Sequence, residues 1–184
     1  PQTPLVALDG ATPAAAAGQP EKLTALAGAV TVLESRCEQN MLVVDVSAIR
    51  QAMGLPEPVP LAVESEDDLA MLSTFGLMRI NPSGLDNEHL VMLLNRALLV
   101  RHNGLLFDVL TEYTGREDLQ QGEDYLRSVV TLADLCEVRH DRQAAFEWLA
   151  RAREAASGLE GEFERTLQLE MRELSLRLQD TEDP

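Results

Sequence analysis

Between residues 41 and 102 the apolar positions form short runs that alternate with helical stripes. MLVVDV (41–46), VPLAVES (59–65) and LMRI (77–80) are apolar runs with the length and the β-branched content of buried strands. Helical spacing follows each run, and it is strongest after Asp86, where one face carries Leu90, Leu93, Leu94, Ala97 and Leu98. This order predicts a small parallel sheet covered by helices, an α/β domain over residues 1–102 whose first 20 residues are partly linker-like.

Beyond His102 the spacing is helical throughout. Four helical segments follow one another, at 105–113, 123–140, 142–156 and 162–179, and the last of them places Phe163, Leu167, Met171, Leu174 and Leu178 on one face. Glycines at 115, 122 and 158 separate the segments. Residues 104–180 are therefore predicted to form an all-α domain of antiparallel helical hairpins, which makes the chain mainly helical overall.

The chain is acidic along its whole length, with a formal charge of −16. Residues 1–103 hold 6 Lys and Arg against 12 Asp and Glu, and residues 104–184 hold 9 against 19. Nucleic-acid binding depends on basic side chains that displace counterions from phosphates, and an anionic membrane surface would repel this charge. The expected partner is another protein with a basic surface, with neither nucleic acid nor membrane insertion, and self-association stays open.

The chain has two cysteines, Cys37 and Cys136, at a spacing that fits no metal or disulfide motif. Buried thiols in a reducing compartment are the simplest interpretation, and they favour a cytoplasmic location. The longest apolar runs are shorter than the roughly 18 residues that a membrane span needs.

Residues 41–102 resemble the second half of a response-regulator receiver domain. A run ending at Asp45, a proline before the next run, a helix ending near Gly76 and Asn81-Pro82 before the last helix follow that family's order. The resemblance implies Asp45 as a phospho-acceptor. Phosphoryl transfer also needs paired acids for a metal and a lysine to neutralise charge, yet Asp9 stands alone and Asn81 replaces the lysine. A degenerate receiver that no longer takes phosphate is the expectation, and Asp45 can instead cap the helix after it.

Residues 126–157 resemble a tetratricopeptide repeat. Its large and small positions are matched by Leu132, Ala133, Cys136, Ala145, Leu149 and Ala152, with His140-Asp141 in the turn and Ser157 where the family has proline. Members of that family bind peptides or proteins in a concave groove, so the resemblance implies partner binding. An ordinary amphipathic helical hairpin explains the same pattern.

No short signature of nucleotide, zinc or acyl-transfer chemistry occurs, so no catalytic residue, metal site or cofactor is predicted. His89, His102 and His140 each stand alone near helix ends, and Cys136 is expected in the core. The candidate partner-binding residues are large or stacking side chains of the helical domain, namely Trp148, Tyr125, Tyr113 and Arg151.

Three hypotheses for the function follow. The first is a non-catalytic protein–protein interaction module in signalling or assembly, with a receiver-like domain that is not phosphorylated. The second is an all-helical adaptor or secretion chaperone, in which residues 41–46 and 59–65 are helix or loop. The third is a phospho-switch that uses Asp45.

Overall fold

The computed structural model describes residues 2–63 and 65–179, and over this part of the chain the regular elements are all helices. Ten α-helices and four short 3-10 helices follow one another there, without a β-strand. The backbone divides into two compact units, Pro1–Asn81 and Pro82–Pro184. The prediction of a mainly helical chain is confirmed, whereas the predicted parallel sheet is wrong.

The first unit is built around one long helix. A 3-10 helix, Val6–Leu8, precedes α1, and a second, Pro20–Lys22, leads directly into α2. The α-helices of this unit are Pro13–Ala16 (α1), Leu23–Gln39 (α2), Val46–Ala52 (α3), Glu66–Met71 (α4) and Thr74–Leu77 (α5), and all except α2 are short. Side chains of Thr12, Asp45, Ser65 and Ser73 accept hydrogen bonds from the first turns of α1, α3, α4 and α5, which satisfies backbone donors that a helix start leaves open. The core gathers Leu8, Ala16, Leu26, Val30 and Leu55.

Residues 41–46 do not form the predicted strand. Met41 takes a left-handed backbone conformation with φ of 55°, which turns the chain at the end of α2. The exposed fractions of Leu42, Val43 and Val44 are 59%, 89% and 43%, and Val46 already begins α3. β-Branched residues favour strands because they pack on a half-buried pleated surface, and without a neighbouring strand that gain is absent.

The other two predicted strands are reduced to one isolated parallel bridge between Leu61 and Ile80. The Leu61 N–H donates to the Arg79 carbonyl at 2.8 Å. Prolines at 56, 58 and 60 lack N–H donors, so the pairing cannot extend toward the N-terminus. Glu64, within the predicted run 59–65, lies outside the described residues. The receiver-like interpretation of residues 41–102 is therefore wrong, because the strands that would place its acids at one sheet edge do not form.

Over residues 82–179 the second unit has five long helices and two short 3-10 helices, Pro82–Gly84 and Glu117–Leu119. The bounds of the long helices are Asn87–Val100 (α6), Asn103–Gly115 (α7), Gly122–Val138 (α8), Arg142–Ala156 (α9) and Glu162–Gln179 (α10). Asp86, His102 and Asp141 cap α6, α7 and α9 through side-chain acceptors. Of the face predicted for α6, four residues are buried, while Leu98 is 45% exposed.

Helices α8 and α9 form an antiparallel hairpin, and α9 also packs against α10. Four alanines of this hairpin, Ala133, Ala145, Ala152 and Ala156, have no exposed surface. Small side chains let two helix backbones approach closely, so a large side chain such as Leu149 can fill the remaining space. The predicted hairpin is therefore present as a helical hairpin, and the structure by itself shows a helical protein rather than membership of the tetratricopeptide family.

Candidate functional site

An apolar groove of about 890 Å³ opens along α2 in the first unit. Residues before α2, one side of α2, Ile49 of α3 and Met53 at the end of α3 line it, and the lining includes Val6, Leu33 and Arg36. Val6 is 95% exposed and Leu33 is 43% exposed. The groove therefore holds apolar surface that this chain leaves open to solvent.

The face of α2 that lines the groove is made mostly of small residues. Ala25, Gly28, Ala29 and Val32 recur at the three- and four-residue spacing of one helix face, and all four line the groove. A Cβ added at Gly28 would meet no atom within 4 Å. Leu26 and Val30 are buried in the core and also reach the groove lining, and beside them Ala25, Gly28, Ala29 and Val32 form a second apolar face of α2 that is open to solvent.

A second cavity of the first unit, of about 770 Å³, contains a buried ion pair. The Arg50 Nη2 lies 2.7 Å from Glu34 Oε2 and 3.2 Å from Thr31 Oγ1, and Arg50 is only 3% exposed. Its Nε has no hydrogen-bond partner among the described residues. This ion pair connects α3 to α2. Because Glu34 already neutralises the Arg50 guanidinium, little net charge remains in the cavity to bind a ligand.

In the second unit, the outer face of α10 is apolar and exposed. Phe163, Leu167, Met171, Leu174 and Leu178 have exposed fractions of 79%, 47%, 66%, 56% and 58%. The opposite face carries Leu169 and Leu176, which are buried against α8 and α9. The face predicted from the sequence is thus the more exposed of the two within residues 2–63 and 65–179.

Arginines of α10 connect it to acids of α8. Arg165 Nη1 lies 2.7 Å from Glu123 Oε1, and Arg172 Nη2 lies 2.8 Å from Glu137 Oε1, with Asp134 as a further partner. The hydrogen bond from Arg165 lowers the pKa of Glu123, whereas desolvation raises the pKa of Glu137 and lowers that of Arg172. Because Arg165 and Arg172 already form ion pairs with acidic residues of α8, the shallow groove between α8 and α10 is not expected to bind anions strongly.

The sequence-predicted partner-binding residues lie in the second unit, and two of them are stacked. The Arg151 guanidinium carbon lies 4.6 Å from the centre of the Trp148 ring, and Trp148 is half-buried. Tyr125 is also half-buried and packs on the same core cluster. Tyr113 is 7% exposed, and desolvation, with a contribution from the charge of Asp124, raises its pKa. Their role in partner binding stays a prediction.

Asp45 is the N-cap of α3. Its Oδ1 accepts a hydrogen bond from the Ala48 N–H at 2.9 Å, which is the capping role that the sequence also allowed. The described part of the chain has no sheet edge at which a receiver-type set of acids and a lysine could surround this carboxylate. The phospho-acceptor hypothesis assumed a receiver fold, and the described residues do not form that fold.

The histidines and cysteines are dispersed. Within the described residues, no three His, Cys, Asp or Glu side chains come together as a metal site. His102 is buried and its Nδ1 accepts from the Leu105 N–H at 3.2 Å, while His89 is hydrogen-bonded to Asp86 at 2.9 Å. Burial raises the pKa of the Cys136 thiol, which disfavours the nucleophilic thiolate.

Comparison with known proteins found no family model, no curated protein and no solved structure that matches this chain. The two resemblances suggested by the sequence therefore gain no support from relatives. Among the described residues, no helix combines the length and the apolar character needed to cross a bilayer.

The α2 groove is a candidate functional surface that the sequence did not predict. Its signal was present in the four-residue set Ala25, Gly28, Ala29 and Val32, a weak apolar stripe beside the larger residues Leu26, Val30 and Leu33, which also line the groove. Small residues contribute little to a hydrophobic pattern, so the stripe is overlooked unless both faces of the helix are considered.

Proposed function

We propose that this chain is a non-catalytic protein–protein interaction module, an all-helical adaptor whose α2 groove receives an amphipathic helix from another protein. The observation that carries the proposal is the second, solvent-open apolar face of α2. A surface helix normally buries one apolar stripe and leaves its other faces polar. An apolar stripe that remains open is the feature expected of an interaction site.

The dimensions of the groove suit a short helix. Its lining runs along α2 from Ala25 to Arg36, and eleven residue steps correspond to about 16 Å, or three helical turns. Because Ala25, Gly28 and Ala29 have small or absent side chains, a docked helix can approach to about 8 Å between axes. Large apolar side chains of the incoming helix can then contact Val6, Leu33 and Met53 on the groove walls.

Charge favours a basic polar face on the partner helix. The first unit holds 4 Lys and Arg against 10 Asp and Glu, a net charge of −6. A helix that is apolar toward the groove and basic toward solvent would be attracted at long range by this field, which raises its association rate. Arg36 at one end of the groove is matched by an acidic residue at that end of the partner.

The thiols and acids of the chain fit a binding role better than a reactive one. Cys37 and Cys136 are buried as free thiols, and the raised pKa of Cys136 keeps it protonated at neutral pH. Asp45 is engaged as a helix cap. Buried free thiols also suit a reducing compartment, so we propose a cytoplasmic location.

The groove can be tested by selecting peptides from a displayed library of helical sequences with the whole chain as bait. Gly28→Arg fills the groove, and since nothing lies within 4 Å of its Cβ and glycine is a weak helix former, the fold should tolerate it. Gln51→Arg, on the exposed surface of α3 and outside the groove lining, is the matched control with the same charge change.

We expect selected peptides to be apolar on one face and to bind the wild type and Gln51→Arg equally. Gly28→Arg should bind them at least about tenfold more weakly, a loss of about 1.4 kcal/mol. Circular dichroism should show unchanged helix content for both variants. Selection of no peptide that discriminates between the two variants would contradict the proposal.

A further inference from the structure

The outer face of α10 is an apolar surface that the described residues leave largely exposed. Its five large side chains are each 47% to 79% exposed, although Leu169 and Leu176 already bury the inner face of the same helix. Together they expose about 500 Å² of apolar surface, as large as the largest patch of a typical monomer. A helix that is apolar on two opposite faces is normally packed between two neighbours.

We propose that a second copy of this chain covers this face, with the two α10 helices packed antiparallel about a two-fold axis. Leu167, Met171, Leu174 and Leu178 are separated by four, three and four residues, the alternation of a coiled-coil seam. This order of spacings is the same when the helix is read backwards. The seam is therefore complementary to itself in the antiparallel direction, as a two-fold interface requires.

The positions of the four seam residues determine which side chains of the two α10 helices face each other. With the axis level with the peptide between Arg172 and Glu173, Leu167 lies opposite the partner's Leu178 and Met171 lies opposite the partner's Leu174. By symmetry each pair occurs twice, which gives four apolar layers along about 16 Å of helix. Phe163, one turn before Leu167, extends the apolar face at both ends.

Charges beside the seam favour the same alignment. Glu170 and Arg177 each precede a seam residue by one position, so they lie on the same flank of α10. In the antiparallel pairing, Glu170 and the partner's Arg177 are displaced by about 3 Å along the axis, and their side chains lean toward each other because both point toward their own N-termini. In a parallel pairing Glu170 would face Ser175 instead.

Arg177 can make this contact at little cost. Its side chain is 66% exposed, and its present partners are Glu173, which also binds Arg153, and the Phe146 ring, whose centre lies 5.9 Å from the guanidinium carbon. If Arg177 turned to Glu170 of the second copy, Glu173 would keep a cation. Rim ion pairs of this kind contribute little affinity but select the orientation.

The buried area indicates a dimer of modest affinity. Two copies of the patch bury about 1,000 Å² or slightly more in total, at the lower end of the range of specific interfaces. A dissociation constant on the order of micromolar is therefore expected. The proposal concerns the second unit and does not depend on the α2 groove, so the two can fail separately.

Sedimentation equilibrium of the full chain from about 1 to 200 µM tests the proposal. The wild type should change from 20.2 kDa toward twice that mass as its concentration rises. Leu174→Glu should remain monomeric, and Leu99→Glu, on a 74% exposed leucine of α6, is the matched control that should dimerise like the wild type. A wild type that stays monomeric would overturn the proposal, and so would equal loss of dimer in both variants.

Charge reversal tests the antiparallel orientation. Glu170→Arg and Arg177→Glu each place like charges opposite one another, so each should weaken the dimer severalfold at low salt. The double variant with both changes restores opposite charges and should dimerise like the wild type. If Glu170→Arg left the affinity unchanged, or if the double variant were as weak as the single variants combined, the antiparallel pairing would be excluded.

Discussion

The two apolar faces of α10 should respond very differently to the same truncation. Leu169 on the inner face is 6% exposed, and Leu174 on the outer face is 56% exposed. Leu169→Ala removes three buried carbon atoms, each of which contributes about 0.8 kcal/mol to stability, and the cavity left behind costs about 1 kcal/mol more. The free energy of unfolding should therefore fall by about 3 kcal/mol. At Leu174 less than half of the side-chain surface is buried, so Leu174→Ala should lower the free energy of unfolding by about 1 kcal/mol at most.

Urea unfolding of Leu169→Ala and Leu174→Ala measures this difference. Each variant is followed by Trp148 fluorescence, which reports on the second unit, and by far-UV circular dichroism. The protein concentration is kept at about 0.1 µM, well below the expected dissociation constant of the dimer, so that association through the outer face contributes little. Equal midpoints for the two variants, or a larger loss for Leu174→Ala, would refute the assignment of inner and outer faces.

Two further predictions concern single side chains. Asp45→Ala removes the side chain that accepts a hydrogen bond from the Ala48 N–H, so it should lower the free energy of unfolding by about 1 kcal/mol, and Asp45→Ser should recover most of this loss. Equal melting temperatures for the Ala and Ser variants would contradict the capping role. Burial raises the pKa of Cys136 above its ordinary value of 9.0, so the unfolded chain loses this proton first and stability falls as the pH rises above that ordinary value. Urea midpoints between pH 7 and pH 10 should show this fall, and Cys136→Ala should flatten it.

Much of the helix inventory follows from local rules in the sequence. Asp86 precedes a stripe of leucines and caps α6, and the paired acid and hydroxyl at Ser65 and Asp68 form the capping box of α4. The sheet prediction failed because residues 41–46 have strand-like composition, yet strand formation depends on a neighbour that the local sequence does not reveal. The α2 groove was missed because its floor is made of small residues with weak hydrophobic signal.

The sequence by itself determined that the chain is acidic, mainly helical and without a known catalytic signature, because charge, periodicity and motifs are properties of residue order. Only the tertiary structure decided which apolar faces are buried. On α10 both Leu169 and Leu174 belong to apolar stripes with helical spacing, and periodicity gives each the same interpretation. The packing of α8 and α9 covers one of them and leaves the other open, because burial is a property of neighbours in space.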